Sequence, residues 1–308
     1  MSPGGRHQPC IRFTVGSARN VVAVARRYET VSFLSDLGTV DEAAGVVRSV
    51  LRDLAPHALV VDLTHDIAPL DVRAGSLSLA RAIQYVASGV VLAVIDPGAG
   101  TARRAIAIEV ADGEGVLVGP DNGLLAPAVA MAGGAGRSVV LSNPAFHLGS
   151  PSSTFSARDV FGPVAAHLCN GVDLAEFGDL VDPITLLPGV VPLSRESGDE
   201  LVTEVMWVDR FGNAQLNIGP EEIERWGNVV RIRFGNSDPR SASLSSTFDS
   251  IGAGIGLVID SHGMVTVCLA RNSAAVELGL NAGTEVRLSE SDGPTSTSTP
   301  IGMPTRRS

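Results

Sequence analysis

At 308 residues the chain exceeds the usual size of a single domain, and its 44% hydrophobic but only 4% aromatic content calls for aliphatic cores. The 33 acids against 23 bases leave a net charge of −10, which argues against the basic face a nucleic-acid partner requires. Three cysteines (Cys10, Cys169, Cys268) are too few and too scattered for a disulfide framework or a zinc site. No apolar run is long enough to span a bilayer and no signal peptide is evident, so a soluble cytoplasmic protein is expected.

Residues 1–29 read as a poorly ordered extension. A strand is predicted over 30–34, ending at Ser35-Asp36-Leu37-Gly38, and Asp41 opens a helix over 42–54 with apolar residues at helical spacing. A second strand (57–63) closes on Thr64-His65-Asp66, and a second helix spans 72–86. His65 has a structural hydrogen bond as its simplest role. The run Val90–Ile95, apolar throughout, reads as a strand buried on both faces. It stops at Asp96, before a Pro97-Gly98-Ala99-Gly100 turn and Arg103. Open α/β sheets place ligand crevices at such strand ends, although a strand–turn–strand with a surface ion pair fits the same residues.

Further strands are predicted at 105–110, 115–119 and 138–141. Pro120-Asp121-Asn122-Gly123 reads locally as a hairpin turn. Ser152–Ser156 opens a helix over 160–170, as a plain cap or as an anion cradle. A proline-punctuated linker (183–200) follows, then short alternating runs at 204–208, 229–233, 256–259 and 264–269 that suggest a β-barrel. The expected fold is α/β: a parallel-sheet α/β domain (30–182) and a smaller C-terminal β-barrel (201–288), with residues 289–308 as a disordered tail.

The familiar catalytic signatures are missing, but several motifs recur in register. Phe33-Leu34-Ser35-Asp36-Leu37-Gly38, Val61-Asp62-Leu63-Thr64-His65, Ile95-Asp96-Pro97-Gly98-Ala99-Gly100-Thr101-Ala102-Arg103-Arg104 and Gly119-Pro120-Asp121-Asn122-Gly123 resemble the S-adenosyl-L-methionine (SAM) hydrolase family. That family, the SAM hydroxide adenosyltransferases, is related to the SAM-dependent fluorinase and chlorinase. Ser153-Thr154-Phe155, Asp209 with Phe211-Gly212-Asn213, and Ala270-Arg271-Asn272 continue the resemblance through residue 288.

The resemblance implies hydrolysis of SAM to adenosine and L-methionine by attack of water or hydroxide at the ribose C5′. It also implies a homotrimer with sites between neighbouring subunits, no cofactor and no metal. Asp36 would hold the ribose hydroxyls, Asp41 the methionine ammonium and Ser261 its carboxylate. Asn213 and Arg271 would recognise adenine, helped by the backbone of Ser273. Asn122, Phe155 and Asp209 carry over as further substrate-binding positions. Asp96 and Arg103 match the pair that positions the water, and Asp96 favours the hydroxide branch because its charge repels a halide.

One departure from the pattern bears on the chemistry: Ser156 stands where the hydrolases have His, completing the catalytic set Asp96, Arg103 and Ser156. A serine is a poor base at neutral pH. Either Asp96 alone orients the water, or Ser156 relays a proton, or activity is weakened. Leu70 and His262 also differ, standing where the fluorinase has an aromatic residue and an Arg. The competing readings are a chlorinase-like SAM halogenase and a catalytically weakened SAM- or adenosine-binding protein.

Overall fold

The computed structural model describes residues 27–291, so the expectations for 1–26, Cys10 among them, and for 292–308 lie outside the described residues. The chain forms two compact units that part between Gly189 and Val190.

In the first unit the elements are β1 (Thr30–Ser35), α1 (Ala43–Leu54), β2 (Leu59–Thr64), α2 (Val72–Ile83), β3 (Gly89–Val94), β4 (Ala105–Val110), β5 (Gly115–Pro120), α3 (Ala126–Met131), β6 (Ser138–Val140), α4 (Gly162–Cys169) and β7 (Leu180–Val181). One turn of π-helix, Ala157–Phe161, leads straight into α4. The strands form one sheet in the order β2-β1-β3-β5-β4-β6-β7. β2, β1, β3 and β5 are parallel, whereas β4, β6 and β7 pair antiparallel. The expected parallel sheet is therefore mixed.

The strand–turn–strand order of residues 89–110 holds, but the two strands do not pair and the Asp96–Arg103 ion pair is buried, not on the surface. β3 and β4 are not neighbours; β5 lies between them. Gly119 permits that close fit, since a Cβ there would lie 2.2 Å from the Ala93 carbonyl oxygen. Ala105 pairs with Pro120, so segment 95–104 crosses the carboxyl end of β5 as an open loop. Nor is Pro120–Gly123 a hairpin: it leads from β5 towards α3.

β3 is buried along its whole length because its two faces serve two cores. Val90, Leu92 and Val94 pack with Phe33, Val47 and Phe161, while Val91, Ala93 and Ile95 pack with Leu79, Leu117 and Leu124. This is the period-2 division expected of a central strand. Cys169 lies in the first of these cores, and burial pushes its thiol up to about 12, as expected of a packing thiol. Of the expected N-terminal extension, residues 27–29 are tied to the sheet. Tyr28 is buried and its hydroxyl donates to the Gly113 carbonyl at 2.8 Å.

The second unit comprises β8 (Arg195–Ser197), β9 (Glu200–Val208), β10 (Ala214–Leu216), β11 (Val229–Phe234), β12 (Arg240–Ser245), β13 (Ile255–Ile259), β14 (Val265–Leu269), α5 (Ala274–Leu278) and β15 (Glu285–Glu290). β9 pairs with both β10 and β15, which closes seven strands into a barrel and leaves β8 outside. β11 is typical of its walls: Val230, Ile232 and Phe234 point into the core and Val229 and Arg231 to solvent. β8, β10, β12, β15 and α5 have no counterpart among the predicted elements. β15 also carries two residues of the expected tail, Ser289 and Glu290, into the sheet.

Candidate active site

Two groups of predicted residues occupy the two units. In the first, parallel pairing of Ser35 with Val94 sets the carboxyl ends of β1 and β3 side by side, so Asp36 and Asp96 leave the same edge of the sheet. The Asp96 side chain is only 5% exposed and that of Arg103 13%. Asp96 Oδ2 accepts two bonds, from Arg103 Nη2 at 2.5 Å and from Ser156 Oγ at 2.8 Å. Arg103 is held in turn by the Arg104 carbonyl, to which Nη1 donates at 2.5 Å, and by the Phe161 ring, 5.4 Å below its guanidinium. Asp96 Oδ1 is buried and finds no hydrogen-bond partner among the described residues. The structure thus brings the three predicted catalytic residues together around one oxygen and leaves the other open.

Ser156 reaches that position as the residue that opens the π-helical turn. Such turns are rare and recur at functional sites. Phe155 precedes it, with the Arg158 guanidinium 5.0 Å above its ring. Asn122 is committed at both ends of its amide: Nδ2 donates to the Ile95 carbonyl at 2.9 Å and Oδ1 accepts from the Leu124 N–H at 3.1 Å. It clamps the backbone just before Asp96. Asp36 Oδ2 accepts from the Leu70 N–H at 2.7 Å, and Leu70 itself has a φ of 66°. Asp41 is exposed, and its Oδ1 accepts from the Ala43 N–H at the start of α1. No hydrogen bond joins it to the other predicted residues within the described part of this unit.

In the second unit Asp209, Asn213, Ser261, Arg271 and Ser273 all line one cavity of about 960 Å³ at the barrel end. Asp209 organises its own turn. Oδ1 accepts from the N–H groups of Phe211 and Asn213 at 2.8 Å, and Oδ2 accepts from Asn213 Nδ2 at 2.7 Å. Asn213 is buried, whereas Phe211 is 78% exposed at the cavity rim. Gly212, at φ 85°, is packed so tightly that a Cβ would lie 2.0 Å from Ser273 Oγ.

The sequence reading missed Asp260 in this cavity. Burial alone would raise its carboxyl pKa, but bonds from Gln215 Nε2, the Met264 and His262 N–H groups and Thr266 Oγ1 outweigh burial and lower it. Asp260 therefore shapes the turn that carries Ser261 and His262. The available signal was the Asp-Ser-His-Gly string, an acid three residues before a glycine. Among the described residues no group of three or more His, Cys, Asp or Glu is placed to hold a metal ion, and no helix is long and apolar enough to cross a membrane.

The profile of the SAM hydroxide adenosyltransferase N-terminal domain matches residues 31–178, and that of the C-terminal domain of the same family matches residues 203–287. An (R)-S-adenosyl-L-methionine hydrolase from Salinispora tropica is 42% identical over 259 residues, 84% of this chain and 97% of that protein. A fluorinase from an Actinoplanes species is 27% identical, over 84% of this chain and 97% of its own. Among solved structures, an uncharacterized conserved protein from Thermotoga maritima superposes with a TM-score of 0.77 at 28% identity, covering 84% of this chain and all of that one. Both domain profiles, matched in order along one chain of the same two-part architecture, establish that this protein belongs to the SAM hydroxide adenosyltransferase family of enzymes.

Proposed function

We propose that the protein hydrolyses SAM to adenosine and L-methionine. Water attacks the ribose C5′ in line with the sulfonium: the C5′–O bond forms, the C5′–S bond breaks and its electron pair returns to sulfur. The leaving group is already cationic, so neither an acid nor a cofactor is needed to expel it. The protein must align the reactants, strip the nucleophile of bulk water and accept one proton.

The observation that carries this reading is the divided carboxylate of Asp96. Arg103 and Ser156 both donate to Oδ2, which fixes the plane of the group and leaves Oδ1 without a described partner. A buried acceptor in that state is costly unless it gains a donor. The attacking water is that donor, and Oδ1 takes its proton before solvent does. Ser156 then holds the carboxylate instead of replacing an imidazole base.

Asp36 accepts from the ribose hydroxyls and Asp41 from the methionine ammonium, with Ser261 at the carboxylate. Asn213, Arg271 and the Ser273 backbone take adenine. Phe155 lies at the substrate site, whereas Asn122 and Asp209 act by holding the turns that present Asp96 and Asn213. The active assembly is a cytoplasmic homotrimer with substrate sites between neighbouring subunits.

The test is to incubate the protein with SAM in chloride-free ¹⁸O-water and follow products by mass spectrometry, with Asp96→Ala as control. Labelled adenosine plus methionine, lost in the control, is expected. Turnover only with added halide, yielding a 5′-halogenated nucleoside, would overturn the hydrolytic reading.

A further inference from the structure

At the carboxyl end of β1 lies a Ser–His–Asp chain, buried at Ser35 and His65 and exposed at Asp62, that the proposed reaction does not use. Ser35 is fully buried, and its Oγ lies 2.8 Å from His65 Nδ1. His65 Nε2 lies 3.1 Å from Asp62 Oδ1, and Asp62 Oδ2 pairs with Arg48 of α1 at 3.1 Å. The composition is that of a nucleophilic triad, but the wiring is reversed. In a triad Nε2 faces the serine and Nδ1 the carboxylate. With Ser35 also sealed from substrate, this is no second hydrolytic centre.

The wiring suits a clamp. Asp62, paired with Arg48, can only accept, so His65 Nε2 carries the proton and donates to it. In the neutral imidazole Nδ1 is then an acceptor, and the Ser35 hydroxyl donates to it. That frees Ser35 Oγ to accept from the Leu37 N–H, 3.3 Å away. On the far side of Asp36, the His65 carbonyl accepts from the Gly38 N–H at 2.8 Å, where Gly38 adopts a φ of 73°. The imidazole is further fixed edge-on against the Phe33 ring at 4.6 Å. One residue after β2 therefore grips the chain both before and after Asp36, and Arg48 ties that grip to α1.

We propose that His65, acting through Ser35, is a positioning residue that sets the 35–38 turn so that the Asp36 carboxylate meets the ribose hydroxyls. The inference rests on the reading of Asp36 given above. Loss of the clamp loosens ground-state and transition-state binding alike, so KM rises while kcat holds.

The experiment measures kcat and KM for SAM in Ser35→Ala, His65→Leu and His65→Asn, beside Asp36→Asn. Ser35→Ala and His65→Leu are expected to raise KM about fivefold to tenfold with kcat within about twofold. His65→Asn, whose amide lies where Nδ1 was, is expected to recover most of the KM. Ser35→Ala is nearly isosteric and keeps the test valid if His65→Leu fails to fold. A merely structural role would lower the active fraction, and so the apparent kcat, at unchanged KM; that outcome overturns the inference. If KM is unchanged in Ser35→Ala while Asp36→Asn raises it, the clamp alone is wrong. If Asp36→Asn leaves KM untouched, the assignment of Asp36 fails, and the inference falls with it.

Discussion

Replacing Asp96 by Asn tests the proposed chemistry at its narrowest point. The exchange keeps the shape of the side chain and an acceptor for Arg103 and Ser156, which now converge on Oδ2 at 2.5 and 2.8 Å. It removes the charge and the ability of Oδ1 to take a proton. Two charge-assisted hydrogen bonds become ordinary ones, at a cost of about 1–2 kcal/mol. In a unit of this size that corresponds to a fall in Tm of roughly 2–8 °C, so the variant stays folded at 25 °C. Loss of a general base lowers the rate by about 10²–10⁴. Adenosine release at saturating SAM, corrected for folded fraction by thermal melting, should show kcat reduced at least 100-fold with KM within about threefold. A variant retaining more than about a tenth of the original kcat would refute the role of Oδ1.

Two further predictions concern the frame around the site. Gly212→Ala forces a side chain onto a φ of 85° and against Ser273 Oγ, 2.0 Å from the new Cβ. It should cost about 1–3 kcal/mol and raise KM for SAM together with lowering Tm; wild-type melting and KM would contradict the packing argument. Arg137 donates to both oxygens of Glu109 and both of Asp173, and these bonds hold both carboxyls below their ordinary values of 4.5 and 3.8. Groups with depressed folded pKa values stabilise above their unfolded values and lose that stabilisation as pH falls through the folded ones. Arg137→Met should therefore cost about 1 kcal/mol in urea unfolding at pH 7, a modest figure because Arg137 is 42% exposed. The difference should shrink as pH falls below the ordinary values of these carboxyls. A pH-independent difference would be inconsistent with the assignment.

Local patterns were legible where the physical cause is local. The unbroken apolar run of β3 announces a strand buried on both faces, and the abrupt change at Asp96 marks its carboxyl end. α2 begins at Val72 as expected, capped by Asp71 Oδ1 on the Ala74 N–H, but ends at Ile83, short of the predicted Val86. β12 was hidden because Arg240–Ser245 is polar and serine-rich; its pairing with β11 and β13, not its composition, makes it a strand. α5 is only five residues long, too short to display a helical period.

The sequence by itself determined the two-part architecture, the strand-end position of the acids and the family motifs, because periodicity and turn chemistry act over a few residues. Only the tertiary structure decided that β5 separates β3 from β4, so that the Asp96–Arg103 loop joins two strands that do not pair. It alone settled that Ser156, 60 residues away, donates to the same oxygen as Arg103 and leaves Oδ1 unpartnered among the described residues. It also turned His65 and Asp260 from isolated letters into organisers of their turns. Strand order and the destination of each lone pair are set by contacts between distant segments, and no local spacing encodes which of several chemically equivalent partners a buried carboxylate will meet.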